Sequence, residues 1–198
     1  MAKRLSEYER KRDFEQTKEP RTGAEQERAD EELRFVIQQH HATSMHYDFR
    51  LEVDGALKSW AVPKGPSTDP EERRLAQATE DHPLEYADFE GYIPKGEYGG
   101  GPVIVWDTGT YRNITQRRGE PMSMEDGLER GHVSVWLEGE KLRGGWSLNR
   151  MRSGDREAWL LIKRDDETAD RRRKPVRTQP ESVRSGRKVD EVEPADGG

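Results

Sequence analysis

The 198-residue chain contains no cysteine. That excludes disulfides and thiolate ligands, and leaves His, Asp and Glu as the groups able to hold a metal. No apolar run approaches the roughly 20 residues needed to span a bilayer, and the N-terminus MAKRLSEYER lacks the apolar stretch of a secretory leader. A soluble, cytoplasmic, monomeric protein is expected. Apolar residues are scarce overall, 30% against 37% charged, but the shortage is local. Residues 1–32 and 165–198 are almost wholly charged or polar, and all five tryptophans lie between them. The expectation is one folded domain over residues 33–164. It would follow a charged N-terminal extension (1–32) ending in a short helix at 24–33 and precede a disordered charged tail (165–198). An excess of positive charge is missing as well. The net charge of −6 argues against a protein whose main task is coating nucleic acid. Even so, residues 171–188 hold eight Lys or Arg against the single acid Glu181, a basic segment able to touch a phosphate backbone.

Sustained helical periodicity is absent from the central region. Short strand-like runs recur instead at 34–38, 46–53, 56–62, 103–107, 132–137, 141–148 and 157–163. Asp54-Gly55 is a two-residue hairpin signal, Gly139-Glu140 a second turn, and Gly144-Gly145 a bulge or bend within a strand. This pattern predicts an all-β barrel or sandwich. Residues 65–84 read as a loop with a helical turn starting near Asp69 or Pro70. Residues 91–101 are glycine-rich, which permits tight turns or close approach of backbone to a ligand.

The chemistry concentrates at residues 40–51, HHATSMHYDFRL. Strand alternation sets His46, Asp48 and Arg50 on one face and Tyr47, Phe49 and Leu51 on the other. Same-face neighbours are roughly 7 Å apart, so an imidazole and a carboxylate can converge on one cation. His40 could fold back as a third ligand, while His41 reads as a bystander. Two imidazoles and a carboxylate suit manganese, iron or zinc. Further along, His82 precedes a proline in a turn-prone context that presents a side chain. Lys64, Arg73 and Arg74 supply cations suited to an anionic substrate, and Gln38 and Tyr86 are candidates for orienting hydrogen bonds.

The run FVIQQHHATSMHYDFRLEVDGALKSWAVPKGPS, followed by EDHPLEYADFEGYIPKGEYGGGPVIVWDTGTY and later WLLIKRDDE, closely resembles the 3′-phosphoesterase domain of bacterial DNA ligase D and its free-standing relatives. One departure is Ser44-Met45, where many relatives carry a basic residue. The resemblance implies a distorted β-barrel of short antiparallel strands. It also implies a manganese-dependent activity, other divalent metals being possible, that removes a 3′-terminal ribonucleoside from a primer strand and then the remaining 3′-phosphate. By position it implies metal binding by His40, His46 and Asp48, and phosphate contacts by Arg50 and His82, with His82 a general acid. Tyr86, Lys64, Arg74, Gln38 and Glu80 would support substrate binding or orient these groups. The implied partners are primer-template DNA or DNA/RNA 3′ ends, with a separate ligase, polymerase or end-binding protein acting in trans. Two other classes compete: a non-haem iron oxygenase, its triad completed by a distal histidine such as His132, and a non-catalytic DNA-end adaptor for a ligase.

Overall fold

The computed structural model describes residues 2–21, 33–152, 154 and 157–194. An N-terminal helix, α1 (Ala2–Arg10), precedes the strands β1 (Leu33–His41), β2 (Met45–Val53), β3 (Ala56–Val62), β4 (Arg74–Ala78), β5 (Gly91–Ile93) and β6 (Gly101–Asn113). A small hairpin follows, β7 (Gln116–Arg117) with β8 (Glu120–Pro121), then α2 (Met124–Arg130), β9 (His132–Gly139), β10 (Arg143–Arg152), β11 (Ala158–Lys163) and a short helix, α3 (Pro175–Thr178). Eight strands pair in the order β1-β2-β3-β4-β11-β10-β9-β6, and the β1–β6 pairing closes them into an antiparallel barrel. Closure leaves the barrel strands no unpaired edge.

Alternation along the strands divides the core in two. Phe35 and Ile37 of β1, Tyr47, Phe49 and Leu51 of β2, and Trp60, Trp106, Trp146 and Trp159 join side chains from all eight barrel strands in one interior cluster. Val36, Leu57, Val103 and Val105 point the other way and pack with Tyr8, Tyr86, Phe89 and Ile93. The candidate ligands share parity with Val36, so the site lies on the outer face of β1 and β2, under α1 and the single-turn helix Leu84–Asp88. Asp54 (φ 48°) and Gly55 (φ 74°) form the expected left-handed hairpin turn between β2 and β3.

Three segments differ from expectation. Residues 65–84, read as a loop, contain β4, which fills the gap between β3 and β11. Only a backbone turn forms at Asp69, whose carbonyl accepts from Glu72 N–H at 3.1 Å. The helix expected at 24–33 falls on residues outside those described, except for Leu33, which opens β1. Residues 165–194, expected to be disordered, lie against the barrel. Val183 N–H donates to the Val105 carbonyl at 3.0 Å, the Trp106 indole donates to the Gln179 carbonyl at 2.8 Å, and Val189 and Val192 are buried beside Ile104. The apolar anchors are too widely spaced to register as an element, yet Val183, Val189 and Val192 each pack in a cluster with barrel residues.

Candidate active site

The β1–β2 register sets His40 directly opposite His46 and Gln38 opposite Asp48. His40 therefore needs no fold-back, because it is a strand residue facing its partner, with ring centroids 4.8 Å apart. His40 Nδ1 and His46 Nε2 each lie 3.6 Å from an Asp48 carboxylate oxygen. Ligand atoms from all three residues fall within 4.8 Å of one another, the one such grouping found among the described residues. The remaining ring nitrogens point at backbone carbonyls, His40 Nε2 at Gly99 O (2.6 Å) and His46 Nδ1 at Ser44 O (3.0 Å). An N–H donated there leaves a lone pair on each inner nitrogen, the tautomers a metal requires. The residues present thus fit a divalent cation.

Electrostatics agree with that fit. Burial alone would raise the Asp48 carboxyl, but Arg50 beside it and the two imidazoles hold it well below the usual carboxylate range. Burial disfavours charge on His46 too, yet hydrogen bonding to Asp48 and its negative charge raise the imidazole above its ordinary value.

Arg50 links this cluster to a second one. Its guanidinium lies 3.1 Å from Asp48 Oδ2, donates to Gln38 Oε1 (2.7 Å) and Ser59 Oγ (2.8 Å), and approaches His82 Nδ1 at 3.0 Å. Gln38 is fixed from its other end by donating to the Tyr86 and Phe89 carbonyls, both at 2.9 Å. His82 Nε2 faces Arg12 Nη2 at 3.3 Å. Burial and the two flanking guanidiniums push the His82 imidazole well below its usual range, so it is neutral. Tyr86 packs edge-on against His82 at 4.7 Å and donates its hydroxyl to Glu19 at 3.0 Å.

The cluster thus unites His40, His46, Asp48, Arg50, Gln38, His82, Tyr86 and Glu80. Glu80 acts on the N-terminal segment, pairing with Lys11 (3.2 Å) and Arg12 (3.3 Å). Lys64 and Arg74 line a different hollow, of about 330 Å³, with Arg173, Lys174 and Arg177. His132 is also elsewhere, on β9, with Nδ1 2.7 Å from Asn149 Oδ1. Sequence reasoning missed Arg12, Glu19, Tyr8 and Ser59. The available signal was two aromatics, Tyr8 and Phe14, set in an otherwise charged run.

Residues 38–150 match the family described as the DNA ligase D 3′-phosphoesterase domain. The chain belongs to that family. It is 52% identical over 166 residues to the multifunctional non-homologous end joining protein LigD of Pseudomonas aeruginosa, an alignment covering 83% of this chain and 19% of the relative. It is 48% identical over 160 residues to the multifunctional non-homologous end joining DNA repair protein LigD of Mycobacterium tuberculosis, covering 81% and 20%. The Mycolicibacterium smegmatis LigD is 41% identical over 167 residues, covering 84% and 21%. The chain thus spans about a fifth of the length of these relatives. The 3′-phosphoesterase match begins at Gln38 and encloses the ligand group, Arg50 and His82, while Arg12 and Glu19 precede it. No helix among the described residues is long and apolar enough to cross a membrane.

Proposed function

We propose that the chain is a metal-dependent phosphoesterase that processes nucleic-acid 3′ ends, removing a terminal ribonucleoside and then the 3′-phosphate to leave a hydroxyl for end joining. The observation that carries this is the connection of a metal-competent His40–His46–Asp48 group to an Arg50–His82–Arg12 cluster in a 3′-phosphoesterase-family chain. Magnitude favours such a pairing. Uncatalysed phosphate monoester hydrolysis calls for up to ~10²¹-fold acceleration, whereas one general acid or base supplies about 10²- to 10⁴-fold.

His40, His46 and Asp48 would hold the metal, manganese being the ion the family resemblance implies, and when bound it would polarise phosphoryl oxygens. Arg50 and Arg12 neutralise phosphate charge, with Arg50 held in place by Gln38 and Ser59. His82 starts neutral because it is buried and two guanidiniums face it. A phosphate dianion between those guanidiniums offsets their field and makes the imidazole more basic, so that it can take up a proton and deliver it to the leaving oxygen. Tyr86 orients His82. Lys64 and Arg74 contribute from their own hollow by engaging the strand's phosphates. A ligase, polymerase or end-binding protein supplied separately would use the product, in the cytoplasm.

The test is a 5′-labelled primer-template carrying one 3′-ribonucleotide, incubated with manganese, with chelator, and with His46→Ala and Asp48→Ala proteins. Successive 3′-phosphate and 3′-hydroxyl products are expected, abolished by chelator and reduced at least about 10²-fold in both variants. Full activity in either variant would sink the site assignment.

A further inference from the structure

The glycine-rich stretch that follows His82 carries an exposed aromatic whose position the chemistry above does not use. Tyr98 keeps 51% of its surface exposed. A lone exposed aromatic needs no explanation in itself; what sets Tyr98 apart is its place. The next residue, Gly99, adopts φ 74° and directs its carbonyl at His40 Nε2, 2.6 Å away. Its backbone comes so close that a Cβ there would sit 3.2 Å from His40 Cε1. On the other side, Lys11 Nζ lies 4.6 Å and the Arg12 guanidinium carbon 5.7 Å from the Tyr98 ring centroid. Arg12 is the same group that faces His82. The loop therefore touches a candidate metal ligand through Gly99, while the Tyr98 ring faces a candidate phosphate-binding cation.

The loop holding it is not a loose flap. Glu97 N–H donates to the Pro94 carbonyl (3.2 Å) and Gly100 N–H to the Glu97 carbonyl (3.0 Å). The Glu97 carboxylate accepts from Asp13 N–H at 3.3 Å, tying the loop to the N-terminal segment. The result is a half-exposed aromatic ring on a hydrogen-bonded loop, flanked by two cations and adjoining His40 through Gly99.

We propose that Tyr98 is a stacking platform for the nucleobase of the strand's terminal nucleotide. This rests on the 3′-end phosphoesterase reading and names the part of the substrate that the metal and arginine clusters leave unbound. Lys11 and Arg12 attract the nucleotide's phosphates while the ring accepts its base. Because every base offers a π-face, stacking of this kind tolerates any base, as an enzyme acting on arbitrary broken ends requires.

The test compares KM for 3′-phosphate oligonucleotides ending in a normal or an abasic nucleotide, with manganese present, for wild type, Tyr98→Ala and Tyr98→Phe. A substitution that merely disturbs the loop shifts both substrates together, so the readout is the ratio between them. Wild type and Tyr98→Phe should favour the base-bearing end by roughly 5- to 150-fold, and Tyr98→Ala should bring the ratio close to one. A ratio unchanged in Tyr98→Ala, or near one in wild type, overturns the platform. Failure of wild type to hydrolyse either end overturns the phosphoesterase reading, and the platform with it.

Discussion

Arg50 illustrates how much one side chain can organise. It is 3% exposed and reaches Asp48, Gln38, Ser59 and His82 through one planar guanidinium. A lysine ammonium cannot reproduce that fork. The alternation of His46, Asp48 and Arg50 made this face legible in the sequence, because the period of a strand is rigid. The state of His82 was not legible, since it depends on burial in the folded protein and on the Arg50 and Arg12 guanidiniums, the second of them 70 residues distant. A consequence can be measured. The folded imidazole stays neutral to well below its ordinary value near 6.5, whereas in the unfolded chain it takes up a proton as pH falls through that value. Below about pH 6.5 the unfolded state binds more protons, so this group's contribution makes stability fall as pH falls. Urea midpoints recorded from pH 7.5 to 5.5 should decline more steeply for wild type than for His82→Gln. Equal slopes would mean that His82 is not held neutral.

At the scale of elements, the site is assembled from pieces that the chain visits at different times. β1 and β2 bring the candidate ligands together by register, and the turn from Glu80 to Pro83 delivers His82 through a two-bond bridge with Leu57. The N-terminal segment following α1 delivers Arg12. Arg12 is 4% exposed in its side chain, and its partners Glu19 and Glu80 are 0% and 3% exposed. Removing one member of such a group leaves uncompensated buried charge. Arg12→Met is therefore expected to lower unfolding free energy by about 3–5 kcal/mol, measured by urea denaturation. A loss under about 0.5 kcal/mol, the range of ordinary surface changes, would show that the segment is only loosely attached. The strands carrying β-branched and aromatic alternation were legible. β4 (RLAQA) was not, because Ala76 is its only fully buried side chain, too little for a period of two to show.

For the whole molecule, net charge conceals its distribution. Against an overall −6, Lys64, Arg74, Arg173, Lys174 and Arg177 line one hollow, and two of them, Arg74 and Lys174, pair with Glu72. Residues far apart in sequence, from β4 and from the C-terminal segment, meet there. If this hollow engages the phosphate backbone, oligonucleotide affinity falls with salt, and Lys64→Ala or Arg177→Ala each lowers the slope of log K against log salt by about one. Titration of binding by fluorescence anisotropy at several salt concentrations reads this directly. An unchanged slope in both variants removes the hollow from the binding surface.

What the sequence determined on its own was local and periodic. Alternation fixed which face of β2 meets the core and which carries the candidate site, and Asp54-Gly55 fixed the turn into β3 because few residues accept those dihedral angles. Residue type made His40, His46 and Asp48 a group that could hold a metal ion. Tertiary structure alone decided that His40 faces His46 across a strand pair, that Arg12 and Glu19 enter the site, and that residues 170–194 lie on the barrel. Those contacts join segments separated by many residues, and their energy comes from burying charge and isolated apolar groups against a surface that exists only once the barrel has closed.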